Sequence, residues 1–306
     1  MKKTALTLFS TCFMLSATAA TDIENEKYRW LAQYDSNQDY TIDVEELYSS
    51  RATLFEQADK NQDKVIDANE HQQFFERNLQ EKIDYDRKQS IKQTHVRFNA
   101  MDKNDNNLMS YDEYMATAKR SFDFYDTDKS GIITLDDKKP TFTSTKKSTL
   151  TDAEKAEKKR KRQMRNATRV VRMPTTHSKS GMLVKYDLND DQQITWAEYQ
   201  QKRNLDFARA DENGDKDLTN DEYVAEFEDR LDTQIAKIKA AELNKNTPLF
   251  ASLDKNNNQQ ISVAEFQLNA LVNFTYFDTD NNGQVSFEEA VNEQMLPVSL
   301  LALSKL

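Results

Sequence analysis

Eight acidic segments of twelve residues constrain this chain more than any other feature of the sequence. They begin at Asp35, Asp59, Asp102, Asp126, Asp187, Asp211, Asp254 and Asp278 and are called loops 1 to 8. Successive starts lie 24, 43, 24, 61, 24, 43 and 24 residues apart, so loops 5 to 8 repeat loops 1 to 4 at a constant offset of 152 residues. The sequence is therefore an internal duplication whose smallest repeated element is a short acidic loop.

Every loop places oxygen-bearing side chains at alternate positions. Asp, Asn or Ser occupies positions 1, 3 and 5, and Glu occupies position 12 except in loop 4, where Asp137 stands. Ca²⁺ takes six to eight hard oxygen ligands at about 2.4 Å, which a tight loop of this composition can supply. Position 8 and the position four residues before each loop are apolar in all eight cases. The pattern predicts calcium sites that are anchored in small apolar cores.

These segments resemble EF-hand calcium loops, in which a backbone oxygen at position 7 and a bidentate Glu at position 12 complete the shell. The resemblance covers all eight loops. It departs from the family at position 6, where only Gly131 and Gly283 are the glycine that a backbone with positive φ favours. Another residue type there costs on the order of 1 kcal/mol. We therefore expect weak sites that fill at the millimolar calcium of an extracellular environment.

The resemblance implies Ca²⁺ ligands at positions 1, 3, 5, 7 and 12 of each loop. Loops 1, 2, 5, 6 and 8 hold three or four carboxylates, and loops 3 and 7 hold two. Because the Asp137 side chain is short, loop 4 is predicted to bind Ca²⁺ more weakly or to tolerate Mg²⁺. The candidate ligands are Asp35, Asn37, Asp39, Thr41, Glu46, Asp59, Asn61, Asp63, Val65, Glu70, Asp102, Asn104, Asn106, Leu108, Glu113, Asp126, Asp128, Ser130, Ile132, Asp137, Asp187, Asn189, Asp191, Gln193, Glu198, Asp211, Asn213, Asp215, Asp217, Glu222, Asp254, Asn256, Asn258, Gln260, Glu265, Asp278, Asp280, Asn282, Gln284 and Glu289.

The spacing also predicts the fold. Only twelve residues, with no Gly or Pro, separate loops 1 and 2, and the same holds for loops 3 and 4, 5 and 6, and 7 and 8. One helix shared by each pair would hold its loops roughly 18 Å apart, too far for strand pairing at about 5 Å. We therefore expect loop 2 to pair with 3, 1 with 4, 6 with 7 and 5 with 8. In the connector between loops 6 and 7, a break is predicted at 244–248, with Thr247 capping the next helix and Pro248 at its first position.

The predicted fold class is all-α, with two tandem four-hand lobes at 21–137 and 177–306. Residues 138–176 between them are predicted to form a basic, helical linker. Residues 138–172 contain 13 basic and 3 acidic residues, a net charge of +10, whereas the rest of the chain from residue 21 carries a net charge of −22. The run Thr151-Asp152-Ala153-Glu154 predicts a capping box at the start of the linker helix. Residues 155–172 are predicted to bind anionic headgroups or an envelope protein. The alternative is a solvated linker helix whose positive charge interacts with the acidic lobes of the same chain.

The N-terminus predicts export. Met1-Lys2-Lys3, an apolar run and Ala17-Thr18-Ala19-Ala20 follow the plan of a bacterial signal peptide at 1–20, so the mature protein is expected in the periplasm or outside the cell. A lipoprotein anchored at Cys12 is the alternative. Cleavage removes the only cysteine, which leaves no disulfide. The apolar tail at 298–303 is too short to span a bilayer, so no transmembrane segment is expected in the mature chain.

The sequence contains few residues or motifs that are typical of an enzyme active site. The chain has three histidines, His71, His95 and His177, and contains no nucleophile elbow or phosphate loop. We therefore expect no enzyme but an exported calcium buffer or sensor. The alternative is a calcium-stabilised adaptor that binds an envelope partner or an anionic surface through the basic linker or an apolar groove. Export makes nucleic acid the least favoured partner.

Overall fold

The computed structural model describes residues 28–138, 140, 149–173, 176 and 178–292. The predicted signal peptide, His177 and the tail at 298–303 lie outside these residues. The helices are α1 (28–34), α2 (Val44–Ala58), α3 (Ala68–Met101), α4 (Tyr111–Tyr125), α5 (Asp152–Thr168), α6 (Lys179–Tyr186), α7 (Trp196–Ala210), α8 (Asn220–Leu243), α9 (Asn246–Leu253), α10 (Val263–Phe277) and α11 (Phe287–Ala290). The strands are β1 (Thr41–Asp43), β2 (Val65–Asp67), β3 (Leu108–Ser110), β4 (Ile132–Ile133), β5 (Ile194–Thr195), β6 (Asp217–Thr219), β7 (Gln260–Ser262) and β8 (Gln284–Ser286).

The mostly helical fold class is confirmed, and so are the shared helices. The segments between loops 1 and 2, 3 and 4, 5 and 6, and 7 and 8 form the 15-residue helices α2, α4, α7 and α10. Each starts at a capping box in which the residue at loop position 9 accepts the N3 amide and the position 12 glutamate accepts the N-cap amide, as with Asp43 and Glu46. The position 12 glutamate therefore both ends a loop and starts a helix. Within the described residues, no helix is long and apolar enough to cross a bilayer.

Strand pairing differs from the prediction. The four antiparallel two-stranded sheets are β1 with β8, β2 with β7, β3 with β6, and β4 with β5. Loop 1 therefore pairs with 8, 2 with 7, 3 with 6 and 4 with 5. The central residue pairs are Ile42 with Val285, Ile66 with Ile261, Met109 with Leu218, and Ile133 with Ile194. The expected pairs 1 with 4, 2 with 3, 5 with 8 and 6 with 7 are wrong.

The continuity of α3 is the physical reason for this difference. The connector between loops 2 and 3 was expected to turn back on itself, but Ala68–Met101 is one helix of 34 residues. A helix without a turn cannot bring its two ends together, so loops 2 and 3 must find partners elsewhere. The corresponding connector in the second half does break: α8 ends at Leu243 and α9 begins at Asn246. That predicted break is confirmed, although Thr247 lies within α9 and does not cap it, and Pro248 is the third residue of α9, not the first.

The chain divides into two compact units, each built from both halves of the sequence. Of the described residues, those within Met1–Phe74, Leu150–Thr168 and Asn246–Leu306 form unit 1, and those within Phe75–Thr149 and Arg169–Lys245 form unit 2. Unit 1 thus holds loops 1, 2, 7 and 8, and unit 2 holds loops 3 to 6. This division differs from the tandem lobes at 21–137 and 177–306, because the strand pairs join loops that are distant in sequence. The predicted linker is likewise divided: α5 belongs to unit 1, and the chain from Arg169 belongs to unit 2.

Unit 1 has a core at each of its two loop pairs. One contains Leu31, Ile42, Phe274 and Val285 beside loops 1 and 8, and the other contains Phe55, Ile66, Leu253 and Ile261 beside loops 2 and 7. Helices α2 and α10 pack against each other between these cores. There the Arg51 guanidinium lies 3.4 Å from the centre of the Phe266 ring.

Unit 2 repeats this plan. Cores beside loops 4 and 5 and beside loops 3 and 6 flank the packed helices α4 and α7. The Arg203 guanidinium lies 3.8 Å from the centre of the Tyr114 ring. Arg203 is separated from Arg51, and Phe266 from Tyr114, by the same 152 residues that separate the duplicated loops. The duplication therefore placed the same cation–π contact in both units.

Candidate metal sites

The apolar anchors of the loops are buried as predicted. The residue at position 8 is fully buried in all eight loops, with a relative exposure of 0%. The residue four positions before each loop lies in the last turn of the preceding helix, where its carbonyl accepts the N–H of the position 1 aspartate, as Leu31 accepts from Asp35 at 2.9 Å. Six of these eight preceding residues are buried, and Leu183 and Phe250 are partly buried. Each loop is therefore held to its core at both ends.

The backbone of every loop turns through two residues with positive φ. At position 6, Gly131 and Gly283 have φ of 82°, and the six other residues, among them Tyr40 and Lys64, have φ between 63° and 72°. The predicted left-handed conformation is thus present whether or not the residue is glycine. Position 4 also has positive φ in all eight loops, from 56° at Asp105 to 74° at Gly214. Sequence reasoning missed this second turn, although Gly214 and the asparagines at position 4 of loops 7 and 8 were a signal for it.

The carboxylate of the position 1 aspartate accepts hydrogen bonds from the backbone N–H groups of this turn. In loop 1, Asp35 Oδ1 accepts the N–H of Asp39 at 3.1 Å and Oδ2 accepts the N–H of Tyr40 at 3.1 Å. The bond from position 6 recurs in all eight loops, at 2.8 to 3.1 Å. Because the amides hold the carboxylate in place, its oxygens face the interior of the loop.

The position 12 carboxylate closes the loop. Its second oxygen accepts the N–H of position 9 in every loop, from 2.8 Å at Asp137 to 3.4 Å at Glu46. In loops 1 and 2 its first oxygen also accepts the N–H groups of positions 2 and 3; Glu70 Oε1 receives them at 3.0 and 3.2 Å. The first and last ligand positions are thus drawn together by backbone amides that carry no charge.

Three loops bring carboxylate oxygens into groups compact enough for one ion. One oxygen from each residue of the set lies within 4.8 Å of the others in Asp59, Asp63 and Glu70 of loop 2, in Asp126, Asp128 and Asp137 of loop 4, and in Asp278, Asp280 and Glu289 of loop 8. Loop 4 is among them although its last position is Asp. The other five loops have the same turn and the same hydrogen bonds to positions 1 and 12 without such a group of three carboxylates in the described residues.

Hydrogen bonding and burial act on the pKa values of these carboxylates in opposite directions. In loop 3, the N–H of Lys103 donates to Glu113 at 2.8 Å, and this bond lowers the pKa of Glu113 below its ordinary value of 4.5. In loop 1, burial raises the pKa of Asp35 above 3.8, despite bonds from the Tyr40 and Gln38 amides that lower it. Bound Ca²⁺ would reverse the effect of burial, because a nearby positive charge favours the ionised carboxylate.

The donor set fits a hard divalent cation. All ligand atoms offered are carboxylate, amide, hydroxyl or backbone oxygens, which suit Ca²⁺ and Mg²⁺ and not a soft metal. Loop 5 adds a specific observation, since Glu198 Oε1 is buried and accepts no hydrogen bond within the described chain. A buried carboxylate oxygen without a donor is unfavourable by itself, and a bound cation at position 12 would satisfy it.

Comparison with known proteins agrees with the geometry for one loop. No curated protein and no solved structure matches the chain. Residues 271–289, which contain the end of α10 and all of loop 8, match the family model described as EF hand. This chain therefore carries an EF-hand segment at loop 8, within a mostly helical fold.

Proposed function

We propose that the protein binds Ca²⁺ through all eight loops and acts as an exported calcium buffer or sensor without enzymatic activity. The observation that carries the proposal is the common architecture of the loops. Each has two left-handed residues, a position 1 aspartate held by the position 6 amide, and a position 12 carboxylate held by the position 9 amide. An oxygen-lined loop of this form matches the coordination that Ca²⁺ requires.

The backbone of the loops supports weak sites and thus a calcium-rich environment. Six loops hold a residue other than glycine at position 6 with φ near 65°, which costs on the order of 1 kcal/mol per loop. Modules with dissociation constants of about 10⁻⁴ to 10⁻³ M are those that work outside the cytosol. This agrees with the signal peptide proposed at 1–20 and with a location in the periplasm or outside the cell. Mg²⁺ is proposed to compete mainly at loop 4, through Asp137.

Calorimetry on the chain from residue 21 onward tests this function. We expect six to eight Ca²⁺ per chain. Glu198→Gln should remove one site, because the bidentate carboxylate becomes one neutral oxygen. Glu212→Gln, the same charge change at an exposed residue at position 2 of loop 6, is the matched control and should leave the count unchanged. Two or fewer ions per chain would refute the proposal.

A second candidate function is a calcium-stabilised adaptor that binds an envelope protein or an anionic surface. The observation that favours it is the placement of the basic helix α5, which packs on unit 1 through Ala167 and Met164 while most of its lysines and arginines are exposed. The sensor and the adaptor differ in how Ca²⁺ affects the surface. A sensor exposes apolar surface on binding calcium, whereas an adaptor uses calcium only to hold its binding surface together.

A further inference from the structure

Helix α5 has one face that is docked on unit 1. Ala167 is fully buried in the core beside loops 1 and 8, and Met164 packs against that core. The Arg29 side chain donates to the Ala167 carbonyl at 3.2 Å, and Gln163 donates to the Tyr28 hydroxyl at 3.0 Å. The helix also starts at the predicted capping box, since Thr151 and Glu154 exchange hydrogen bonds. Its orientation on unit 1 is therefore fixed at several points.

The same docked face touches the two paired loops 1 and 8. The Tyr40 hydroxyl, at position 6 of loop 1, donates to Glu157 at 2.7 Å. Arg160 forms an ion pair of 2.7 Å with Glu288, at position 11 of loop 8, and its guanidinium lies 5.0 Å from the Phe287 ring and 5.5 Å from the Tyr40 ring. Tyr40, Phe287 and Glu288 are not among the metal ligands. Their positions nevertheless depend on the loops, because Tyr40 lies in the turn of loop 1 and Phe287 and Glu288 directly precede the position 12 residue of loop 8.

The opposite face of α5 is cationic. Lys155, Lys158, Lys159, Arg162 and Arg165 are all exposed. At 100° per residue, their mean direction lies roughly 170° from that of the docked face. We call these five residues the cationic face. It extends about 15 Å along the helix. Together with Leu150 and Lys161 it lines an open depression of about 520 Å³.

We propose that the cationic face of α5 binds an anionic lipid surface and that Ca²⁺ at loops 1 and 8 controls this binding by holding α5 in place. This inference rests on the proposed calcium function. Charge complementarity carries the choice of partner, because five cations in a row along one helix face match a continuous layer of phosphate headgroups. A small anion would engage only two or three of them. Each Lys or Arg near such a surface strengthens binding about fivefold at moderate salt.

The direction of the calcium effect follows from the contacts of the docked face. Without Ca²⁺ the carboxylates of loops 1 and 8 repel one another, and the sheet that joins Thr41–Asp43 to Gln284–Ser286 loosens. Tyr40, Phe287 and Glu288, which contact α5, are then no longer held in position, and α5 loses these contacts. By itself α5 is a weak helix, because it carries like charges four residues apart, such as Lys158 and Arg162, which destabilise an isolated helix. Calcium binding should therefore strengthen binding to the lipid.

Vesicle cosedimentation tests the surface. With 1 mM CaCl₂ and low salt, we expect the full chain to bind vesicles of phosphatidylglycerol and phosphatidylcholine but not of phosphatidylcholine alone. Changing the five residues of the cationic face to Gln should weaken binding more than 100-fold. The matched control changes five exposed basic residues of unit 2 to Gln, namely Lys88, Lys92, Lys119, Arg120 and Lys237. Absence of binding by the parent chain, or an equal loss in the control, would overturn the proposal.

Ligand variants measured at one calcium concentration test the coupling, because calcium bound to the lipid itself is then constant. Glu46→Gln in loop 1 and Glu289→Gln in loop 8 should weaken vesicle binding at least tenfold. Glu222→Gln, the equivalent change in loop 6 of unit 2, should change it less than twofold. Unchanged or tighter vesicle binding by Glu46→Gln would overturn the coupling. Calorimetry on the same samples separates the two proposals: calcium binding without vesicle binding rejects this inference alone, and no calcium binding rejects the proposed function.

Discussion

Replacing Glu46 by Gln identifies the partner of loop 1. Glu46 Oε1 accepts the N–H groups of Ser36 and Asn37, both at 3.2 Å, and Oε2 accepts that of Asp43 at 3.4 Å. Gln keeps one neutral oxygen, and hydrogen bonds to charged groups contribute about 1.5–3 kcal/mol. We therefore expect the calcium affinity of loop 1 to fall by roughly 10- to 150-fold.

The loss should reach loop 8 through the sheet they share. Ile42 and Val285, both fully buried, face each other at the centre of the β1–β8 pair. Coupling between linked sites is typically about 1–3 kcal/mol, or 5- to 150-fold in affinity. Linkage is reciprocal for the two bound ions, so Ca²⁺ in loop 1 strengthens loop 8 by the same factor by which Ca²⁺ in loop 8 strengthens loop 1, and Glu289→Gln should likewise weaken loop 1.

The chain provides its own reporters for this experiment. It has only four glycines, so glycine-selective ¹⁵N labelling gives four amide signals. The Gly283 N–H donates to Asp278 at 3.0 Å and reports loop 8, and the Gly131 N–H donates to Asp126 at 2.9 Å and reports loop 4. Gly214, bonded to Asp211 at 2.8 Å, reports loop 6.

In Glu46→Gln, the calcium midpoint of Gly283 should rise about fivefold or more, while those of Gly131 and Gly214 stay within twofold of the parent chain. Glu45→Gln, an exposed residue next to Glu46, is the matched control and should change none of them. A shift at Gly131 without one at Gly283 would show that loop 1 pairs with loop 4 and would refute the reasoning.

Two further outcomes are expected. Burial raises the pKa of Asp206, but Lys185 at 3.4 Å and Lys202 outweigh this effect and hold the pKa below its ordinary value of 3.8. Asp206→Asn should therefore lower the free energy of unfolding by about 2 kcal/mol at pH 7. This difference between the variant and the parent chain should shrink as the pH falls below 3.8, because the aspartate is then protonated. Urea unfolding at pH 7 and pH 3 measures this, with the exposed Asp232→Asn as control, and an equal difference at both pH values would contradict it. Removing Ca²⁺ with EDTA should lower the melting temperature by more than about 10 °C, because each site filled at ten times its dissociation constant contributes about 1.4 kcal/mol. Dye binding measured in parallel should increase as the Phe cores open, and a melting temperature within a few degrees of the calcium-loaded value would indicate preformed loops.

Much of each loop was predictable because short-range interactions decide it. The position 8 anchor, the preceding apolar residue and the left-handed position 6 were all read from the sequence and are present in all eight loops. The shared helices were equally clear, since twelve residues without Gly or Pro between two loops leave no room for a turn. The second left-handed residue at position 4 was missed, because Gln38 and Lys129 give no sign of it. The residue types that favour this conformation at position 4 are Gly214, Asn257, Asn281, Asp105 and Asp190.

The sequence by itself determined eight loops, their spacing and their joining into four two-loop segments, because all these depend on contacts within about 25 residues. Only the tertiary structure decided which loops pair. The centres of the strands are Ile, Val, Leu or Met in every loop, so their burial does not distinguish one partner from another. The choice depends on the continuity of α3, a 34-residue helix whose lack of Gly and Pro was visible but whose consequence appears only over the whole chain. Because loops 2 and 3 do not pair with each other, each strand of the first half of the sequence pairs with a strand of the second half. Each unit therefore contains loops from both halves.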